Sequence, residues 1–174
     1  MVQLEKLLGK EKKYILHGIS MGGSGVLFAL GKKTIAKKAH NISLVINDSG
    51  FDILKKELYY QHTIILGNSF HFKILLKFVL FGMSIINLFI NNFLFSQYSI
   101  IKILQKRKKL ATKNIPIIVF HGEKDSLVLP EVALNIKNAD SCNLVDLHII
   151  KDAPHIGSYF YEPIQYINII KKYL

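Results

Sequence analysis

Three residue types that can together activate a hydroxyl group occur far apart in the sequence, as Ser20, Asp125 and His155. A serine hydroxyl is a weak nucleophile at neutral pH, so it needs a neighbouring base. A histidine can act as that base when a carboxylate fixes its ring. The three side chains would support acyl transfer through a covalent serine intermediate if the fold brings them together.

Ser20 lies in the run Gly18-Ile19-Ser20-Met21-Gly22-Gly23, between an apolar stretch of strand length and a segment compatible with a helix to about Gly31. A G-x-S-x-G pattern in that position is typical of a nucleophile elbow. Gly18, Gly22 and Gly23 are predicted to permit the tight turn and the close approach of helix and strand. The pattern is common enough to arise by chance in roughly one chain in twenty, and Ser20 could instead be a helix N-cap.

The elements around these residues predict a parallel sheet. The elbow strand, its helix and the apolar run 42–47 form a βαβ unit, which pairs its strands in parallel. Two later apolar runs, 115–122 and 146–150, complete a predicted α/β fold of about four parallel strands flanked by helices. Side chains that follow the carboxyl ends of such strands converge on one crevice. Ser20, Asp125 and His155 each follow a different strand and should therefore meet.

The final predicted helix covers residues 163–174. Ile164, Ile167 and Ile170 recur at helical spacing and are predicted to form its inner stripe.

Residues 51–113 interrupt the regular pattern and are predicted to form a helical lid or cap insert within a single domain. Residues 78–95 contain no charged side chain, and a stretch of 18 residues is the shortest that could span a membrane. Asn87 and Asn91 within it argue for buried or lid helices and against a span. His71 and Lys77 are interpreted as lid or surface residues.

Composition sets limits on other functions. The net charge of +11 comes almost entirely from scattered lysines, with Arg107 as the only arginine, and no base-reading motif accompanies them. Nucleic-acid binding is therefore not expected, and membrane attachment is disfavoured. Cys142 is the only cysteine, which excludes an internal disulfide and any multi-cysteine metal site and favours a cytoplasmic location. We predict no metal and no cofactor.

Together these segments resemble the α/β-hydrolase superfamily, in particular bacterial esterases and serine-peptidase-like hydrolases that carry a helical lid. The chain order Ser, Asp, His is that of the superfamily. The resemblance covers nearly the whole chain from Tyr14 onwards. It rests on Gly18-Ile19-Ser20-Met21-Gly22-Gly23, Asn47-Asp48-Ser49-Gly50-Phe51, Ile117-Ile118-Val119-Phe120-His121-Gly122-Glu123-Lys124-Asp125 and Ala153-Pro154-His155.

The resemblance implies a role for each residue that matches. Ser20 would be the nucleophile, His155 the general base and then the general acid, and Asp125 the group that orients the imidazole. The backbone N–H of Met21 would supply one oxyanion-hole donor. The substrate would be a small-molecule ester, or a peptide or amide, hydrolysed without a cofactor.

Each assignment has an alternative. Asp125 could be only a turn residue, and His155 only a surface histidine. Asp48 could be a rival acid, although it is interpreted as a turn residue. Asp152 is too near His155 in sequence to orient its ring easily. His17 and His121 are expected to have structural roles.

The sequence departs from the resembled fold before the elbow. That fold has about four strands and two helices there, whereas about 13 residues precede the elbow here. We therefore predict the C-terminal part of a larger hydrolase, with a missing N-terminal half or an oligomer partner. Activity of the chain alone is open, and a catalytically silent fragment or a protein attached to a membrane through residues 78–95 are the alternatives.

Overall fold

The computed structural model describes residues 13–52 and 100–174, together with Ile74 and Phe78. Four parallel strands in this part form one sheet in the order β1-β2-β3-β4. The strands are β1 (Tyr14–Ile19), β2 (Ile42–Asp48), β3 (Ile117–Gly122) and β4 (Val145–Ile150). The prediction of an α/β fold with four parallel strands is confirmed.

Helices connect and cover the strands. Short 3₁₀ turns precede β2, at Ala39–Asn41, and follow the third helix, at Arg107–Lys109. The helices are α1 (Met21–Ala29), α2 (Lys33–Ala36), α3 (Ile100–Gln105), α4 (Pro130–Ala139), α5 (Ser158–Tyr161) and α6 (Pro163–Lys171).

The strand register brings the carboxyl ends of the strands to one edge of the sheet. Ile19 of β1 pairs with Asp48 of β2, and Asp48 pairs with Phe120 of β3. Gly122, at the end of β3, pairs with Ile150, at the end of β4. Because side chains alternate between the faces of a strand, β2, β3 and β4 contribute to the core on both sides of the sheet.

The core has two layers, one on each face of the sheet. On one face, Val45 and Ile117 pack with Leu27 of α1 and Ile136 of α4. On the other face, a second cluster centres on Phe120. That cluster includes Leu44, Ile46, Ile118, Tyr166 and Ile169.

Arg107 lies inside the protein instead of contributing to a basic surface. Its side chain is fully buried, and Nη1 pairs with Oδ1 of Asp140 at 3.0 Å. The guanidinium also donates to the carbonyl oxygens of Thr112 and Ile115. Arg107 therefore joins the segment before β3 to the end of α4, and its charge is unavailable to an external partner.

The predicted inner stripe of the last helix was wrong for Ile164 and Ile167, whereas Ile170 packs against the second cluster as predicted. Ile164 and Ile167 of α6 are 76% and 40% exposed, whereas Tyr166 and Ile169 are buried. The helix is rotated because the Tyr166 ring stacks on Phe120, with ring centroids 3.9 Å apart. An aromatic contact of this kind, together with the hydrogen bond that the tyrosine hydroxyl can make, outweighs the isoleucine spacing.

The lid predicted for residues 51–113 lies mostly outside the described residues, as do His71, Lys77 and the whole stretch 78–95 apart from Phe78. In the ranges that the structure describes, no helix is long and apolar enough to cross a membrane.

Candidate active site

The turn between β1 and α1 places Ser20 in a strained conformation. Ser20 has φ 53°, which L-residues rarely adopt, and its N–H donates to the carbonyl oxygen of Asp48 at 2.8 Å. A Cβ atom at Gly18 would lie 2.1 Å from the carbonyl oxygen of Gly22, and one at Gly23 would lie 2.2 Å from Oδ1 of Asn47. These contacts require glycine at both positions, so that helix and strand can approach closely.

Gly22 differs from the other two glycines. A Cβ atom there would meet no atom within 4 Å. The prediction that close packing requires glycine at position 22 was therefore wrong, because this residue lies on the exposed side of α1. Met21 is the first residue of α1. Its N–H thus belongs to the first turn, where helix N–H groups have no acceptor within the helix.

Asp125 lies in the turn after β3 and is only 2% exposed. Its Oδ1 accepts hydrogen bonds from the backbone N–H groups of Leu127 and Val128, at 3.0 and 2.9 Å. Burial alone would raise the pKa of this carboxyl. Hydrogen bonds from His121, His155 and the Val128 N–H outweigh burial and hold the pKa well below its ordinary value. Asp125 is therefore ionised at neutral pH.

His155 lies in the loop between β4 and α5, which we call the histidine loop (residues 151–157). Its Nδ1 is 2.7 Å from Oδ2 of Asp125, and its Nε2 is 2.9 Å from Oγ of Ser20. An ionised carboxylate can only accept, so Nδ1 carries the proton. In the neutral ring Nε2 is then free to accept the proton of the Ser20 hydroxyl.

The structure thus brings together the three residues that the sequence singled out. Ser20 comes from the end of β1, Asp125 from the end of β3 and His155 from the end of β4. The order of contacts, hydroxyl to imidazole to carboxylate, is the arrangement that activates a serine for attack on a carbonyl carbon.

Neither of the alternative acids contacts His155 in the described structure. Asp48 is 3% exposed and accepts hydrogen bonds from three hydroxyl groups, which are described below. Asp152 pairs with Lys124 on the surface. Asp125 alone of the three carboxylates is hydrogen bonded to the imidazole.

Two further histidines contact the polar groups around the site. His121 is fully buried, and its Nε2 lies 2.8 Å from the carbonyl oxygen of Val128 and 3.3 Å from Oδ2 of Asp125. Because the Val128 oxygen can only accept, Nε2 of His121 must carry a proton. His121 therefore supports Asp125 at Oδ2, the same oxygen that contacts His155. His17 contacts the Tyr166 hydroxyl, 3.1 Å from its Nε2.

The segment that follows β2 has contacts that the sequence analysis missed. The hydroxyl of Ser24 in α1 accepts from the N–H of Phe51 and donates to the carbonyl oxygen of the same residue, at 2.7 and 2.9 Å. Asn47 packs against Gly23, as described above. The sequence predicts only a turn at Asp48-Ser49-Gly50, between β2 and the insert. The one available signal for these contacts was the position of this turn after the strand next to the elbow.

A groove of about 460 Å³ lies elsewhere, between His148 of β4 and one side of α6. This groove is not lined by Ser20, Asp125 or His155. The part of the chain that the structure describes contains no group of three or more His, Cys, Asp or Glu side chains placed to hold a metal ion.

Comparison with known proteins gives similarity in structure only. No protein-family model matches the sequence, and no curated protein matches it. Among solved structures, the Pyrococcus furiosus esterase Pf2001 superimposes with a TM-score of 0.62 at 19% identity, over 99% of this chain and 58% of the esterase. An α/β fold family hydrolase from Bacillus anthracis gives 0.60 at 14% identity, over 98% of this chain and 70% of that one.

A thermophilic esterase from Thermogutta terrifontis matches with a TM-score of 0.56 at 16% identity, over 97% of this chain and 67% of the esterase. The chain thus spans little more than half the length of the Pyrococcus furiosus esterase. Its four strands, with their flanking helices and the turns that carry Ser20, Asp125 and His155, have the α/β-hydrolase fold.

Proposed function

We propose that this chain belongs to a serine hydrolase that cleaves carboxylic esters through an acyl-Ser20 intermediate. The observation that carries the proposal is the continuous hydrogen-bonded series from Ser20 Oγ to His155 Nε2 and from His155 Nδ1 to Asp125 Oδ2, at 2.9 and 2.7 Å. The esterase and hydrolase activities named for the structural neighbours agree with this chemistry. A peptide or amide is the less favoured substrate.

The contacts support a two-step reaction. Ser20 Oγ attacks the ester carbonyl carbon while its proton passes to Nε2 of His155, and the ionised Asp125 stabilises the imidazolium. The tetrahedral intermediate then collapses, and His155 returns the proton to the departing alcohol. A water molecule, deprotonated by His155 in turn, then attacks the acyl-serine carbonyl. As the second tetrahedral intermediate collapses, His155 returns this proton to Ser20 Oγ and the carboxylic acid is released. None of these steps requires a metal or a cofactor.

The start of α1 is suited to stabilise the developing oxyanion. We propose that the Met21 N–H donates one hydrogen bond to it, because this group directly follows the nucleophile and lacks an acceptor in the helix. The positive end of the helix dipole adds to the effect. Each oxyanion-hole donor typically contributes 10²- to 10³-fold in kcat.

We also propose the domain organisation predicted from the sequence, a single domain with residues 51–113 as a helical lid or cap insert, whose last part, α3, packs in the core. An apolar lid would favour an ester with an apolar acyl or aromatic group. The lone Cys142 supports the cytoplasm as the proposed location.

A second candidate is a hydrolase half that works only with a partner polypeptide. The specific observation is the apolar surface beside the edge strand β1, where Ile15 and Ile19 are 40% and 52% exposed. An apolar edge strand tends to pair with another strand. We propose as its occupant an N-terminal half of the same fold, which adds a parallel strand beside β1.

Co-expression with such a half tests the second candidate. Poor solubility of the chain alone that is rescued by the half would support it. A chain that is monomeric by analytical ultracentrifugation and fully active alone would contradict it.

Turnover of p-nitrophenyl acetate and butyrate tests the main proposal. The wild type is expected to hydrolyse both esters, and Ser20→Ala to lose turnover. Ser141→Ala is the matched control, because it removes a serine hydroxyl that donates to the carbonyl oxygen of Leu104 and takes no part in the site. Equal activity of the wild type and Ser20→Ala would refute the proposal.

A further inference from the structure

The histidine loop holds its catalytic side chain in a strained backbone. Ile156, the residue after His155, has φ 55°. A β-branched residue in this left-handed region is a conformational outlier, which persists only when surrounding contacts impose it. The loop therefore needs a specific contact that holds residue 156 in place.

Ser49 provides that contact. Its Oγ accepts a hydrogen bond from the backbone N–H of Ile156 at 3.1 Å and donates its own proton to Oδ1 of Asp48 at 3.0 Å. Ser49 is fully buried and itself has φ 55°. Because a hydroxyl has one proton, the bond to the carboxylate leaves the lone pairs of Oγ free to accept from the loop.

The Asp48 carboxylate anchors this contact to a wider set of hydroxyl groups. Oδ1 also accepts from the Ser158 hydroxyl at 3.0 Å, and Oδ2 accepts from the Tyr166 hydroxyl at 3.1 Å. Ser158 begins α5, directly after the histidine loop. Asp48 thus holds the loop through Ser49 at its centre and through Ser158 at its end.

The same short segment also holds the nucleophile. The carbonyl oxygen of Asp48 accepts from the Ser20 N–H at 2.8 Å, and the Ser49 N–H donates to the carbonyl oxygen of Phe120 at 2.9 Å. Residues 48 and 49 therefore form hydrogen bonds to the turn that carries Ser20, to β3, which precedes Asp125, and to the histidine loop. Any shift of Ser49 would alter the distance between Ser20 and His155.

We propose that Ser49 is a positioning residue that fixes His155 relative to Ser20, with Asp48 as its anchor. The inference rests on the proposed serine hydrolase function. It differs from the sequence interpretation, which considered Asp48 only as a turn residue or as a rival acid for the histidine.

The variant that tests the proposal is Ser49→Gly in the full chain. Glycine adopts φ 55° without strain, so the backbone at position 49 is preserved while the hydroxyl is lost. A displacement of the histidine by about 1 Å costs about 10²-fold in rate. We expect kcat to fall by about that factor while KM stays within about threefold, because substrate contacts are unchanged. Ser141→Ala is again the control and should keep both constants.

A proton NMR measurement reports on His155 without requiring turnover. The Nδ1–H of His155 should give a downfield resonance from its hydrogen bond to Asp125, assigned by its absence in His155→Ala. In Ser49→Gly this resonance should broaden or shift towards that of an unbound imidazole. Ser49→Ala is the second variant if the glycine variant fails to fold.

The outcomes separate this inference from the proposed function. An unchanged His155 resonance in Ser49→Gly, or a kcat within twofold of the wild type, would overturn the positioning role. A wild type without hydrolytic activity, combined with a His155 resonance that is lost in Ser49→Gly, would refute the proposed function and support the positioning role.

Discussion

Replacement of Asp125 by asparagine should uncouple the site while leaving the fold in place. In Asp125→Asn the amide oxygen can keep the two backbone hydrogen bonds of Oδ1, from Leu127 and Val128. The amide NH₂ then faces Nδ1 of His155, where Oδ2 stood at 2.7 Å. Because an NH₂ group only donates, the histidine must adopt the tautomer with its proton on Nε2. That tautomer cannot accept the Ser20 proton.

The magnitude follows from this change of tautomer. An amide in place of the carboxylate of such a triad lowers kcat by about 10⁴-fold, which corresponds to about 5 kcal/mol in the activation barrier. The NH₂ group also meets the Nε2–H of His121, now 3.3 Å from Oδ2. This loss of a buried acceptor should lower the free energy of unfolding by about 1–3 kcal/mol.

Ester turnover and urea unfolding measure the two effects separately. Asp152→Asn is the matched control, because Asp152 is exposed and pairs with Lys124 and not with His155. A folded Asp125→Asn variant with turnover within tenfold of the wild type would refute the assigned role of this carboxylate.

The pH dependence of stability provides a further readout of Asp125. Because its pKa is lowered in the folded state, its contribution is fully present above the unfolded pKa of about 3.9 and is lost as the pH falls below it. The wild type should therefore lose more unfolding free energy than Asp125→Asn between about pH 5 and pH 3.

Three other predictions concern the elements around the site. Gly22→Ala should raise the free energy of unfolding by about 0.5–1 kcal/mol, because the added Cβ atom meets no other atom. Gly18→Ala should lower it by at least about 2 kcal/mol, because the Cβ atom would clash with Gly22. Equal effects of the two variants in urea unfolding would contradict this difference. Burial, and then the Asp48 carboxylate, raises the pKa of the Tyr166 hydroxyl. The neutral hydroxyl therefore stabilises the fold fully below the unfolded pKa of about 10, and this contribution is lost as the pH rises above it. Tyr166→Phe should therefore flatten the alkaline loss of stability, and an unchanged curve from pH 9 to 11 would count against this. Arg107→Ala should lower the free energy of unfolding by about 3–5 kcal/mol, because Asp140 is left buried without its partner. A variant with the same melting temperature as the wild type would contradict this.

The sequence was sufficient to predict how the site assembles. Ser20, Asp125 and His155 each follow an apolar run of strand length, and parallel strands bring their carboxyl ends to one edge. The prediction therefore depended only on strand positions and not on packing detail. Element boundaries agree to within about two residues where strands are bounded by polar turns.

The predictions that failed depended on tertiary contacts. Isoleucine spacing placed the inner face of α6 at Ile164 and Ile167, but stacking of Tyr166 on Phe120 rotates the helix. The G-x-S-x-G pattern predicts the same need for glycine at positions 18 and 22, although only a Cβ atom at position 18 would clash, with the backbone of Gly22. Spacing along the chain cannot distinguish these cases, since both depend on which element lies opposite.

The role of Ser49 was also beyond prediction from the sequence. Its partner, Ile156, is separated from it by 107 positions, and the contact joins a side chain to a backbone N–H. Any residue can supply such an N–H, so residue types carry no signal for it. Only the fold reveals that Ser49 lies beneath the histidine loop.

The central claim is that His155 activates Ser20 as a nucleophile, and covalent labelling with a fluorophosphonate tests it most directly. Mass spectrometry of peptides from the labelled, folded protein should locate one adduct on Ser20. The adduct should be absent in Ser20→Ala and should form at least about 10²-fold more slowly in His155→Ala. No adduct on the folded wild type, or an adduct on another residue, would contradict the account.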